Sequence, residues 1–136
     1  MSKECSAEEL KEVRDALKDA VYDAMLRHDF HRSPSFFLDE FVETMRNVAR
    51  DAAEGIRARG LEARCYTRLR GSSHEPRNFA EVWCLVRKPG REEVSLEARV
   101  PIDFTIDFDV RLPKPRVSIS HFPRSEEYIE VWMEVL

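Results

Sequence analysis

The sequence predicts an α+β domain in which an N-terminal αα-hairpin packs on a curved antiparallel β-sheet meander of five or six strands. Three observations predict it. Two stretches near the start, residues 7–28 and 37–56, repeat apolar residues at intervals of three and four. From Leu61 onward the period becomes two. From Val94 to Leu112 every even position is apolar, Ile102, Phe104, Ile106 and Phe108 among them, and a helix would smear such a set around its circumference.

The first helix opens on a capping box, Ser6-Ala-Glu-Glu9, in which the Ser6 hydroxyl accepts from the third helical N–H and Glu9 reaches back. Leu10, Val13, Leu17, Val21 and Met25 form its stripe, and Arg27 and His28 complement the dipole at its end. Ser33-Pro34 reads as an N-cap followed by proline at the first position of the second helix. Phe37, Phe41, Met45, Val48, Ala52 and Ile56 make the second stripe, and Gly60 closes it.

The strands can be registered from side chains alone. If Arg70 sits opposite Phe79, Glu62 meets Arg87, Arg68 meets Glu81, Tyr66 meets Trp83 and Cys65 meets Cys84. Opposite-charge and aromatic pairs are what cross-strand energetics favour, at about 0.2–1 kcal/mol each. Pro89-Gly90-Arg91 suits a three-residue hairpin loop with glycine in the left-handed position, which then sets Arg87 beside Glu93 and Glu81 beside Arg99. A two-residue hairpin at Pro101-Ile102 would reverse the parity, so residues 93–112 read as one long strand bent at Pro101, its second half pairing elsewhere. Val117, Ile119 and His121 continue the core face. Residues 125–136 read as a strand rather than a helix, and a five-residue loop would set Arg116 against Glu134 and Phe122 against Tyr128.

At 136 residues the chain has room for a single domain, 1–136, with 43% apolar and 35% charged residues. No apolar run approaches the roughly 20 residues that span a bilayer, and no signal-peptide core follows Met1, so the expected setting is cytoplasmic, away from membranes. There is no Gln, only two Asn, and seventeen Arg to five Lys. That composition suits an intracellular protein of a thermophile, archaeal or viral, although a GC-rich genome also raises Arg. Net charge is −4, yet residues 57–91 carry nine basic and three acidic groups, a basic island facing an acidic remainder.

The second face of the sheet is the feature that points to function. Tyr66, Phe79 and Trp83 lie on it together with Leu85, Phe122, Tyr128 and Trp132, whereas a solvated face should be polar. One reading is a sheet-to-sheet homodimer, with the basic middle third open to an acidic partner. Another is that the sheet curls and buries these residues. The third is a nucleic-acid platform built from Arg64, Tyr66, Arg68, Arg70, Arg77, Phe79 and Trp83, with aromatic rings for stacking and arginines for phosphates. Asp103, Asp107 and Asp109 project from one side of the bent strand and are the metal candidates, spaced to share a hard cation in a phosphoryl-transfer enzyme. The bland alternative is a charged row protecting an edge. His28 and His31 flank Asp29 without zinc spacing. Cys65 and Cys84, directly opposite each other, read as small core residues or as a disulfide of the kind found inside hyperthermophile cells.

The segment 35–100, ending Leu96-Glu97-Ala98-Arg99, superficially resembles the core of PD-(D/E)xK nucleases, but the hairpin aspartate is missing and the motif lysine is Arg99. Tyr66 to Arg70 and Arg91 to Glu93 are similar to strands of triphosphate tunnel enzymes, but the ExExK strand is absent. Neither resemblance implies an activity. The sequence reading is therefore a non-enzymatic binding or assembly protein without a cofactor, with nucleic-acid binding and metal-dependent catalysis as its alternatives.

Overall fold

The computed structural model describes residues 3–32, 35–70 and 79–135. Ser33, Pro34 and the loop 71–78 with Arg77 lie outside the described residues, as do the side chains of Leu69, Arg70, Phe79 and Val135. In chain order the elements are α1 (Ala7–Arg27), β1 (Ser35–Phe37), α2 (Leu38–Ala58), β2 (Glu62–Arg70), β3 (Phe79–Arg87), β4 (Glu93–Pro101), β5 (Asp103–Asp107), β6 (Arg116–His121) and β7 (Glu130–Val135). The class is α+β: two N-terminal helices on antiparallel sheets, which number two rather than one. β2-β3-β4-β7 form the larger and β1-β6-β5 the smaller.

α1 starts where the capping box puts it. Ser6 Oγ accepts from the Glu9 N–H at 3.2 Å while Glu9 Oε1 accepts from the Ser6 N–H at 3.0 Å. The helix ends at His28, whose Nε2 lies 2.9 Å from Asp51 Oδ2 on α2, tying the two helices by a polar contact as well as by their apolar stripes. Gly60, at φ +83°, reverses the chain after α2 in a conformation that only glycine adopts cheaply.

α2 begins later than the Ser-Pro dipeptide suggests. Ser35 to Phe37 pair with β6 first, Phe36 opposite Val117, and the Leu38 N–H then donates to the Pro115 carbonyl at 2.9 Å. The residue just before β6 thus takes up the first helical N–H, and Phe36 joins an aromatic cluster around the fully buried Phe30 and Phe41, with ring centroids 5.6–6.2 Å apart. Tertiary packing overrides the local helix signal here.

β2, β3 and β4 have the register that charge and parity require: Arg70 faces Phe79, Tyr66 faces Trp83, and Glu81 faces Arg68 on one side and Arg99 on the other. Gly90, at φ +82°, occupies the left-handed position of the β3–β4 loop. The core lies on the even face of β3 and β4, where Val82, Cys84, Val86, Leu96, Ala98 and Val100 are all buried against the helices.

The long alternating segment is bent near Pro101 and changes sheets. β4 ends at Pro101, the buried Ile102 carries the chain across, and β5 pairs with β6 in the smaller sheet. Regular pairing stops at Asp107 rather than continuing to 112. There Asp107 Oδ1 accepts from the Asp109 N–H and Asp109 Oδ1 from the Arg111 N–H, both at 2.9 Å, so short polar side chains close a turn. Phe108 and Val110, core-facing by parity, are consequently 68% and 97% exposed.

Two further expectations are corrected. A register irregularity between Asp103 and Phe104 places His121 opposite Asp103 but Ile119 opposite Phe104, so His121 turns outward while Val117 and Ile119 stay buried. The tail is a strand, but it pairs with β4 rather than β6, Glu97 opposite Trp132 and Arg99 opposite Glu130. Ser125 caps a single 3-10 turn, Glu126–Tyr128, before that strand begins.

Candidate interaction face and basic cleft

Because α1 and α2 cover the face of the large sheet that carries the even residues of β3 and β4, the opposite face carries the candidate residues, at odd positions on β3 and β4 and at even positions on β2 and β7. The register lays out rows across all four strands. One row runs Tyr66, Trp83, Glu97, Trp132; the next runs Arg68, Glu81, Arg99, Glu130. Tyr66, Trp83 and Trp132 are 50%, 36% and 53% exposed. The sheet does not curl enough to bury them, and Phe122 instead stacks on Tyr22 of α1 at 5.6 Å.

These aromatic side chains are held in place. Tyr66 and Trp83 stack with centroids 5.5 Å apart, and Trp83 Nε1 donates to Ser95 Oγ at 2.7 Å. The Arg99 guanidinium lies 5.0 Å from the centroid of the Trp132 ring. Between them is an ion-pair lattice. Arg68 Nε donates to Glu81 Oε2 at 2.9 Å and its Nη2 to Glu97 Oε1 at 2.7 Å, while Arg99 Nε lies 3.4 Å from Glu81 Oε1. Glu81 is the buried carboxylate of this lattice. Its hydrogen bond and charge hold the Arg68 guanidinium above its ordinary range. Arg87 and Glu62 pair at the far end, and Arg64 Nη2 lies 3.8 Å from Glu93.

Counted by register, the described side chains of this face include four arginines (Arg64, Arg68, Arg87, Arg99) and six glutamates (Glu62, Glu81, Glu93, Glu97, Glu130, Glu134). The face is therefore not electropositive.

A concentration of positive charge lies around the corner. A cleft of about 600 Å³ runs between α2 and β2, with Arg46, Arg50 and Arg57 on the helix side and Arg64 on the strand side. Its floor is made of small side chains, among them Ala49, Ala53 and Ala63. Sequence reading missed the three helix arginines because, on an amphipathic helix, charges outside the apolar stripe read as a solvated face. The helix sets these three on one side, and the position of β2 at the sheet edge adds Arg64 opposite them.

Cys65 and Cys84 face each other across β2 and β3 and are joined by a disulfide; Cys5 is a free thiol that burial pushes up. Asp103, Asp107 and Asp109 are not gathered into a ligand set. Asp103 sits opposite His121 and Asp107 opposite Arg116, while Asp109 is engaged by Arg111, whose Nη2 approaches to 2.6 Å and holds the carboxyl below the usual range. Among the described residues no three His, Cys, Asp or Glu side chains are arranged to hold a metal ion. None of the described helices is long and apolar enough to cross a membrane. No family model, curated protein or solved structure matches the chain.

Proposed function

We propose that this protein is a non-catalytic assembly protein that pairs with a second copy of itself through the face of its large sheet turned away from the helices. The observation that carries the reading is the row Tyr66, Trp83, Glu97, Trp132, three exposed aromatic side chains aligned across a sheet face that no helix covers. Aromatic residues concentrate in interface cores. Here they come prepared for it. The only donor of the Trp83 ring is already satisfied within the chain, so covering the ring strands no polar atom.

Charge supports a second copy as the occupant. A twofold interface brings one patch against itself turned around, so it must be self-complementary. The row Arg68, Glu81, Arg99, Glu130 ends in two exposed residues of opposite charge, Arg68 and Glu130, which can meet across a twofold axis while the buried Glu81 stays paired within its own chain, whereas phosphates would meet six glutamates with four arginines. The nucleic-acid reading of this face is correspondingly weaker. A cytoplasmic setting in a thermophile accords with the composition, and intracellular disulfides occur in such organisms.

Light scattering at micromolar concentration should give the mass of a dimer, and Trp83→Arg should reduce it to that of a monomer while leaving the far-ultraviolet circular dichroism intact. A wild-type monomer at about 100 µM overturns the reading, since specific dimers of this kind associate well below that concentration.

A further inference from the structure

We infer that the cleft between α2 and β2 is a second binding site, one that takes an acidic peptide segment in extended conformation as an added strand. The inference does not depend on face-to-face pairing; Arg64 and Tyr66 lie where the cleft borders that face, and the other lining residues belong to the cleft alone.

Three features of the cleft lead to it. First, its wall is lined by consecutive residues of β2, Ala63 through Thr67. Successive side chains of a strand point to opposite faces, so a cleft that touches all of them runs along the edge of the strand, not along either face. Second, among the described residues β2 is the outer strand of its sheet, with β3 on one side and no strand on the other. Its outward peptide groups are the hydrogen-bonding template that strand addition uses. Third, the charged side chains lining the cleft are all basic: Arg46, Arg50, Arg57 and Arg64. Arg46 and Arg64 have over half of their side-chain surface exposed, and their ionic contacts, to Glu43 at 3.5 Å and to Glu93 at 3.8 Å, are long ones.

The dimensions agree. Arg46 to Arg57 spans eleven helical steps, about 16 Å at 1.5 Å each, and five residues of extended chain cover about 17 Å. A strand of that length laid beside β2 would have glutamates or aspartates at every second position within reach of the arginine row. The small residues of the floor, Ala49, Ala53 and Ala63, lie on the helix side with that row and leave room for the stems of the acidic side chains, while the side chains between them point to the opposite face. A nucleic-acid backbone would use the arginines but not the strand edge, and of the lining residues only Tyr66 offers a ring for stacking. The acidic strand is therefore the better fit.

The probe is an acetylated and amidated eight-residue peptide of alternating glutamate and valine, labelled with fluorescein and titrated with the full chain at low salt. Saturable binding is expected. It should weaken about tenfold or more in Arg46→Glu/Arg64→Glu, and by a similar factor when alternate peptide nitrogens of the probe are methylated, which removes donors at unchanged charge. Arg46→Lys/Arg64→Lys should bind within a few-fold of wild type, so that a folding defect in the glutamate variant is distinguished from loss of the site. Trp132→Arg, on the strand at the opposite edge of the sheet, should bind as wild type, which separates failure here from failure of the dimer. No binding, equal binding of the methylated peptide, or tighter binding of a single-stranded oligonucleotide of the same charge overturns the inference.

Discussion

Arg68 Nε lies 2.9 Å from Glu81 Oε2, and of these two residues it is the carboxylate that is buried. A fully covered glutamate on an uncovered sheet face is costly unless it is paired, and here the guanidinium groups of Arg68 and Arg99 approach from the two neighbouring strands. Glu81→Gln keeps the shape and removes the charge. It should destabilise the chain by about 1–3 kcal/mol in urea unfolding. Glu62→Gln, at the exposed pair with Arg87, should cost under about 1 kcal/mol. Equal costs would mean that burial does not distinguish the two pairs.

Opposite the ion-pair lattice, on the core side of the same two strands, the Cys65–Cys84 disulfide closes a loop with a sequence separation of 19 residues. Constraining the unfolded chain over that length is worth about 3 kcal/mol in the loop-entropy treatment. Thiol counting in unfolded, unreduced protein should find one free thiol per chain, Cys5, and reductant should lower the unfolding midpoint. A count of three disproves the bridge.

Glu9 connects the start of α1 to the β3–β4 loop. Its carboxylate accepts from the Ser6 N–H and from Arg91 Nε, each at 3.0 Å, and these bonds lower its pKa from 4.5 to about 2. A carboxyl with a depressed folded-state pKa contributes stability that is complete above the unfolded value and is lost as pH falls through the folded one. Stability should therefore decline between about pH 5 and pH 2, and Glu9→Gln should flatten that part of the profile. An acid limb of unchanged slope in the variant would assign the loss to other carboxylates.

Phe30 is wholly buried where the helices meet the small sheet, with Phe36, Phe41 and Phe122 at centroid distances of 5.9, 6.2 and 6.5 Å. Phe30→Ala should cost about 3–5 kcal/mol, the range for emptying a packed aromatic site. Phe108→Ala, at the exposed end of the same sheet system, should change stability by less than about 0.5 kcal/mol. Denaturant midpoints of the two variants check both values together.

Much of this arrangement is legible in the sequence. The β2–β3–β4 register could be read because two independent constraints, apolar parity and charge sign, agree on Tyr66 opposite Trp83 and Glu81 between Arg68 and Arg99. Only one constraint, parity, bore on the stretch after Asp107, and it failed once Asp107 and Asp109 took the backbone into a turn. β1 was invisible because three residues carry no period, and it exists through its pairing with β6. His121 was misplaced for the same kind of reason: a bulge leaves no mark in the alternation of its own strand. The aromatic face is readable from spacing, whereas the arginines of the α2–β2 cleft, ordinary on their own elements, are not.

The passage of the chain through Ile102 also constrains how its length can vary. A single residue separates β4 from β5, and it is fully buried. One inserted residue there would invert the facing of everything downstream, presenting Asp103 to the interior and Phe104 to water in a strand still bound to β6. The turns at 88–92 and 108–115 face no such parity constraint and are the places where extra residues can be absorbed. Two sheets joined by one buried residue can be lengthened at their ends, but not at the joint.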